Sequence, residues 1–140
     1  MQGIKPFIET RVKAAYLNAL LTVGFDTLDF GSFVSPKAIP QMRDTEEVLA
    51  LLDLSHTKTR LLAIIANPRG AEQALAFQEI DYLGYPFSLS ETFQLRNTNA
   101  TIEESLQRVE AIQDSASVTG KSWSYTCPWG LETRTATPGT

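Results

Sequence analysis

Between Asp29 and Met42 the sequence DFGSFVSPKAIPQM sets a carboxylate (Asp29), two hydroxyls (Ser32, Ser35) and a cation (Lys37) along a stretch stiffened by proline. Groups of these types can exchange a proton, hydrogen-bond a substrate or meet developing negative charge, and proline fixes one backbone angle and restricts the residue before it. The preceding residues Phe25 to Leu28, FDTL, are strand-like. The following Asp44-Thr-Glu-Glu47 has the spacing of a helix capping box, in which a side-chain oxygen and a Glu three residues on satisfy exposed amides reciprocally. The pattern is strand, rigid site-bearing loop, helix.

The elements around this stretch alternate. From Glu9 to Val23, apolar Val12, Tyr16, Ala19, Leu20 and Val23 predict one face of a helix that Gly24 ends. Arg60 to Asn67, RLLAIIAN, is a short apolar run bounded by Pro68 and Gly70, as a strand buried on both faces would be. A short helix is expected over Gly70 to Gln78 and an irregular strand over Asp81 to Ser90. Thr101-Ile-Glu-Glu104 is a second capping box, opening a helix to about Ser117 with Ile102, Leu106, Val109 and Ile112 on its apolar face. Alternation of this kind implies an α/β fold, either an open doubly wound sheet or part of a TIM barrel. In both, ligands sit beyond the carboxyl ends of the strands, which places Asp29 to Met42, Asn67 to Gly70 and Ser90 to Asn99 on one face.

Composition narrows the function. The chain has 140 residues, 43% of them hydrophobic and 20% charged, which suits one globular domain. Its net charge of -4 argues against a nucleic-acid partner, because backbone binders concentrate Lys and Arg. No apolar run approaches the ~20 residues that cross a bilayer, and the N-terminus lacks a secretion-signal order, so no membrane partner and a cytoplasmic location are expected. The single Cys127 excludes an internal disulfide framework, and neither it nor the single His56 has neighbours for a zinc site.

SFVSPK with PQM downstream, then IIANPRGAE, then LSETFQLRNTNATIEESLQR, resembles the N-terminal third of the hydroxymethylglutaryl-CoA lyases, from about Gln2 to Ala116. The resemblance implies a partial TIM barrel, about the first three or four β/α units, over residues 1–120. It also implies a parent enzyme that cleaves 3-hydroxy-3-methylglutaryl-CoA to acetyl-CoA and acetoacetate, with an acyl-CoA substrate, a divalent metal (Mg or Mn) and homo-oligomeric assembly. Asp29 matches a Glu of the family that helps order the active site, and its side chain is shorter. Ser32, Gln2, Asn67 and Glu91 match or neighbour substrate-facing positions, with turn formation, helix capping or loop bracing as the structural alternatives. Lys37, Arg69 and Arg96 are cations that could meet CoA phosphates. The family's metal-binding Asp, its partner Arg and its later His and Asn ligands have no counterpart here, so no residue is assigned to metal and the chain alone is expected to be inactive. A non-catalytic acyl-CoA-binding α/β module and part of a related Claisen-type synthase are the alternatives.

Lys121 to Thr140, KSWSYTCPWGLETRTATPGT, departs from the family pattern, which has a strand there. Codons read from the third base of Lys121 permit a family-like strand, so residues 121–140 are expected to be an out-of-frame, disordered tail.

Overall fold

The computed structural model describes residues 3–118 with their side chains, and the backbone of residues 119, 122–126 and 135–136. Helix α1 (Thr10–Leu21) leads into β1 (Thr27–Phe33), and a 3-10 turn (Pro40–Met42) and α2 (Thr45–Leu49) follow. Then come β2 (Arg60–Ile65), α3 (Pro68–Leu75), β3 (Ile80–Pro86), α4 (Glu91–Thr98), α5 (Ile102–Thr119), β4 (Ser122–Thr126) and the short β5 (Thr135–Ala136). The sheet order is β1-β2-β3-β4-β5; the first four strands are parallel and β5 pairs antiparallel with β4. This is the α/β alternation of a partial TIM barrel. Among the described residues the outer edge of β1 has no strand partner.

One apolar cluster joins the sheet to its helices. Leu61, Ala63 and Ile65 of β2 and Ile80 and Leu83 of β3 meet Leu17, Leu21, Ala71, Ala74, Val109 and Ile112 from the helices. Burying a large aliphatic side chain contributes about 1.5–3 kcal/mol, so this layer fixes the central strands. The other face of β2 is open: Leu62 and Ile64 are only half-buried, against the expectation of a strand buried on both faces. Pro86 closes β3 at its last position, where its missing N–H disturbs no further ladder bond.

Three elements differ from the sequence expectation. The strand continues through Asp29 to Phe33, so the true loop after β1 begins at Val34. The buried face of α1 is Lys13, Ala14, Leu17 and Leu21, whereas Val12 (58% exposed), Tyr16 and Val23 face outward. The helix carries two apolar stripes, and the sheet takes the one that contains the lysine. Asp44 stands at the N-terminus of α2 but makes no side-chain cap; its carboxylate turns to Lys13 and Thr10 instead. The second capping box does form, with Thr101 N–H donating to Glu104 Oε2 at 2.8 Å and Glu104 N–H to Thr101 Oγ1 at 3.1 Å. Backbone pairing runs past residue 120, since Ser122 to Thr126 lie in register with Tyr82 to Pro86. Cys127 lies outside the described residues.

Candidate functional site

In a regular strand, residues three apart point to opposite faces. Asp29 and Ser32 do not, because the register slips between Asp29 and Gly31: Asp29 pairs with Leu62, Gly31 with Ala63 and Ser32 with Ile64. This bulge puts Asp29 and Ser32 together on the face shared by Leu62 and Ile64, away from the helices. Glycine at position 31 lets the start of α2 pack closely against the bulge, since a Cβ there would sit 2.7 Å from Thr45 Cγ2. Gly84 keeps the same open face shallow, as a Cβ there would lie 2.7 Å from Ile64 Cδ1.

Asp29 sits within β1 rather than at its end, and it lines a groove of about 800 Å³ beside the outer edge of β1, with Ile8, Val12, Tyr16, Leu20, Phe30 and Met42. Desolvation pushes its carboxyl pKa up, and a backbone hydrogen bond from Gly31 offsets only part of that. Ser32 is buried, and its hydroxyl donates to Ile64 O at 3.1 Å, which leaves the oxygen's lone pairs for another donor.

Asn67 and Glu91 lie past the carboxyl ends of β2 and β3 and are occupied structurally. The Asn67 side chain caps α3 by accepting from Gly70 N–H at 2.9 Å. The exposed Glu91 carboxylate accepts from Ile102 N–H at 3.3 Å. Asn67 lies two residues past the end of β2 and three beyond Ile64, the register partner of Ser32, so it neighbours the Ser32 end of the site rather than Asp29. Gln2 lies outside the described residues. Lys37, Arg69, Arg96 and His56 are exposed.

Two buried polar clusters escaped the sequence reading. Gln94 accepts from Ser88 N–H at 2.7 Å and donates to Ser105 Oγ at 2.8 Å and Thr98 Oγ1 at 3.0 Å, holding the loop after β3. Lys13, Gln41 and Asp44 form the other, at the loop after β1. Of these only Lys13 carried a signal, as a charge between the apolar residues of α1.

No family model matches the chain. Hydroxymethylglutaryl-CoA lyases do match it: the mitochondrial protein of Macaca fascicularis is 36% identical over 118 residues, 83% of this chain and 35% of the relative. The mitochondrial human protein is 35% identical over the same shares. Among solved structures, the HMG-CoA lyase of Brucella melitensis superposes with a TM-score of 0.82 at 31% identity, over 94% of this chain and 48% of that one. The chain belongs to the hydroxymethylglutaryl-CoA lyase family. It spans about a third of the length of the curated relatives it matches. An HMG-CoA lyase from Acinetobacter baumannii, solved in complex with coenzyme A and 3-methylmalate, has a TM-score of 0.81 at 29% identity over 95% of this chain and 45% of that one.

Hydroxymethylglutaryl-CoA lyases are metal-dependent, yet the described residues contain no group of three or more His, Cys, Asp or Glu side chains placed to hold a metal ion. The described residues do not fit a metal, and the chemistry open to them is that of their own side chains. No helix among the described residues is long and apolar enough to cross a membrane.

Proposed function

We propose that this chain supplies one substrate-facing flank of a lyase that cleaves 3-hydroxy-3-methylglutaryl-CoA to acetyl-CoA and acetoacetate, and that by itself it does not turn over. The observation that carries the reading is the bulge that brings the exposed Asp29 and the buried Ser32 to the same face of the sheet, within a chain that superposes on HMG-CoA lyases over 94% of its length.

The cleavage removes the proton of a tertiary alcohol, breaks the adjacent carbon–carbon bond and leaves an enolate on the thioester fragment, which then takes up a proton. Asp29 suits the ordering of that centre: its carboxylate is exposed to the groove, and partial desolvation there still pushes its pKa up. Ser32, Asn67, Glu91 and Gln2 are assigned to substrate contact: Ser32 through its unused lone pairs, and Asn67 and Glu91 through the Nδ2 group and the carboxylate lone pairs that the α3 cap and the Ile102 bond leave over. Coenzyme A in the A. baumannii lyase supports an acyl-CoA ligand. The divalent cation, Mg or Mn, and the homo-oligomer belong to the complete enzyme in this reading. Relatives named cytoplasmic, from Rattus norvegicus and Danio rerio, support a cytoplasmic location. The barrel part is assigned to residues 1–120, and an out-of-frame origin for residues 121–140 is tested by sequencing the locus.

Two measurements test the function. Calorimetry with coenzyme A should give saturable heat, and its absence would remove the acyl-CoA contact. Incubation with 3-hydroxy-3-methylglutaryl-CoA and added magnesium should release no acetoacetate, and release would overturn the claim that the chain is inactive alone.

A further inference from the structure

Lys13 is only 3% exposed, on the face of α1 that also carries Ala14, Leu17 and Leu21. Its ammonium donates to the Gln41 carbonyl at 2.5 Å and to Asp44 Oδ1 at 2.6 Å, and stands 4.1 Å from the centre of the Phe7 ring. Asp44 Oδ2 accepts from the Thr10 hydroxyl at 2.7 Å. The Gln41 side chain is fully used too, accepting from Ile8 N–H at 2.9 Å and donating to Ile4 O at 2.9 Å and Pro6 O at 2.7 Å. One buried cation therefore ties together the segment before α1, α1 itself and the loop after β1.

The tie reaches the site. Thr45, the residue after Asp44, shares its one hydroxyl proton between Met42 O at 2.8 Å and Ser32 O at 3.0 Å, and its oxygen accepts from Ser32 N–H at 3.4 Å. Its methyl also fills the space above Gly31. A shift of Asp44 thus passes to Ser32 across a single peptide link. Net stability explains such a pair poorly, because desolvation offsets much of the attraction and replacing both partners by apolar residues is often neutral or stabilising. An apolar pair lacks direction, whereas an ammonium with two fixed acceptors sets where the loop lies.

We propose that Lys13 is a positioning residue, acting through Asp44 and Thr45 to hold Ser32 and the loop after β1 in their ligand-facing arrangement. The consequence for ligand rests on the proposed function; the consequence for Ser32 does not.

Amide hydrogen exchange on the full chain tests this with the variants K13M and K13M/D44L. K13M should melt well below the unaltered chain, and the apolar pair should recover most of that loss. In the folded double variant the Ile8 and Ser32 amides should exchange at least ~10-fold faster, with Leu83 and Ile112 unchanged. Unaltered rates at Ile8 and Ser32 in that variant would overturn the proposal. Should the variant not fold, nuclear magnetic resonance on the unaltered chain decides: the Ser32 amide should shift with the midpoint of the Asp44 carboxyl carbon, and a Ser32 amide indifferent to that titration would overturn it. Coenzyme A calorimetry separates the two claims. Affinity at least ~10-fold weaker in the double variant extends the positioning role to the ligand, and equal affinity refutes that extension. No binding by the unaltered chain removes the proposed function and leaves the exchange result standing.

Discussion

The centre of the sheet and its β1 flank are held by different forces. At the centre, Ala63, Ile65, Ile80 and Ile112 are each 0% exposed and pack side chain to side chain. At the flank, α1 meets the loop after β1 through Lys13, Asp44 and Gln41, while Val12 and Tyr16 border an open groove. Apolar packing is non-directional and tolerates small shifts, whereas a buried cation with fixed acceptors admits one arrangement. The molecule thus keeps its scaffold with the first and its Asp29–Ser32 edge in place with the second.

The contrast can be broken by substitution, and the largest effect falls at the flank. Lys13→Met strands a carboxylate whose side chain is 9% exposed and should cost about 3–5 kcal/mol in denaturant unfolding. The Asp26–Arg60 pair, at 76% and 45% side-chain exposure, is the control: Asp26→Asn should leave the midpoint unmoved. At the centre, Ile112→Ala should cost about 2–5 kcal/mol, while Val12→Ala at the groove should change stability by less than about 0.5 kcal/mol. Equal costs at Ile112 and Val12 would dissolve the distinction between packed and open stripes. Thr101→Ala should cost about 1 kcal/mol, the worth of a cap with no part in either region.

The two flank carboxylates should respond to pH with opposite sign. Burial alone would raise the Asp44 pKa, but hydrogen bonds from Lys13 and Thr10, with the Lys13 charge, outweigh it and hold it below the usual range. Its stabilisation is complete above the unfolded value of about 3.9 and is lost as pH falls from there through the folded value. Asp29 is raised, so its ionised form destabilises the fold at neutral pH and that penalty is relieved as pH falls through the raised value. Asp29→Asn should therefore raise stability at pH 7 and lose that advantage on acidification, which thermal melts across pH will show.

Legibility in the sequence followed the same division. The central strands and α5 were readable as elements, but only in part as burial: Val109 and Ile112 of α5 are buried as their spacing implied whereas Leu106 is exposed, and RLLAII is buried on one face only. The family was readable from SFVSPK and from the run around IEES. Asp29 and Ser32 were picked out, but not their shared face, because a bulge depends on the register against β2. The α1 face was misassigned because two apolar stripes compete and the buried one contains a lysine. Asp44 read as a cap because its spacing is right for one; its partner lies 31 residues earlier, beyond any local pattern. Periodicity records which side faces apolar matter, and it says nothing of where a buried charge finds its counter-charge.

Native-state hydrogen exchange of the unaltered chain across a denaturant series tests the division most directly. The Leu83 and Ile112 amides should open only with global unfolding, while Ile8 and Ser32, whose amides donate to Gln41 and Thr45, should open together at a distinctly lower free energy. One opening free energy shared by all four amides would contradict the account.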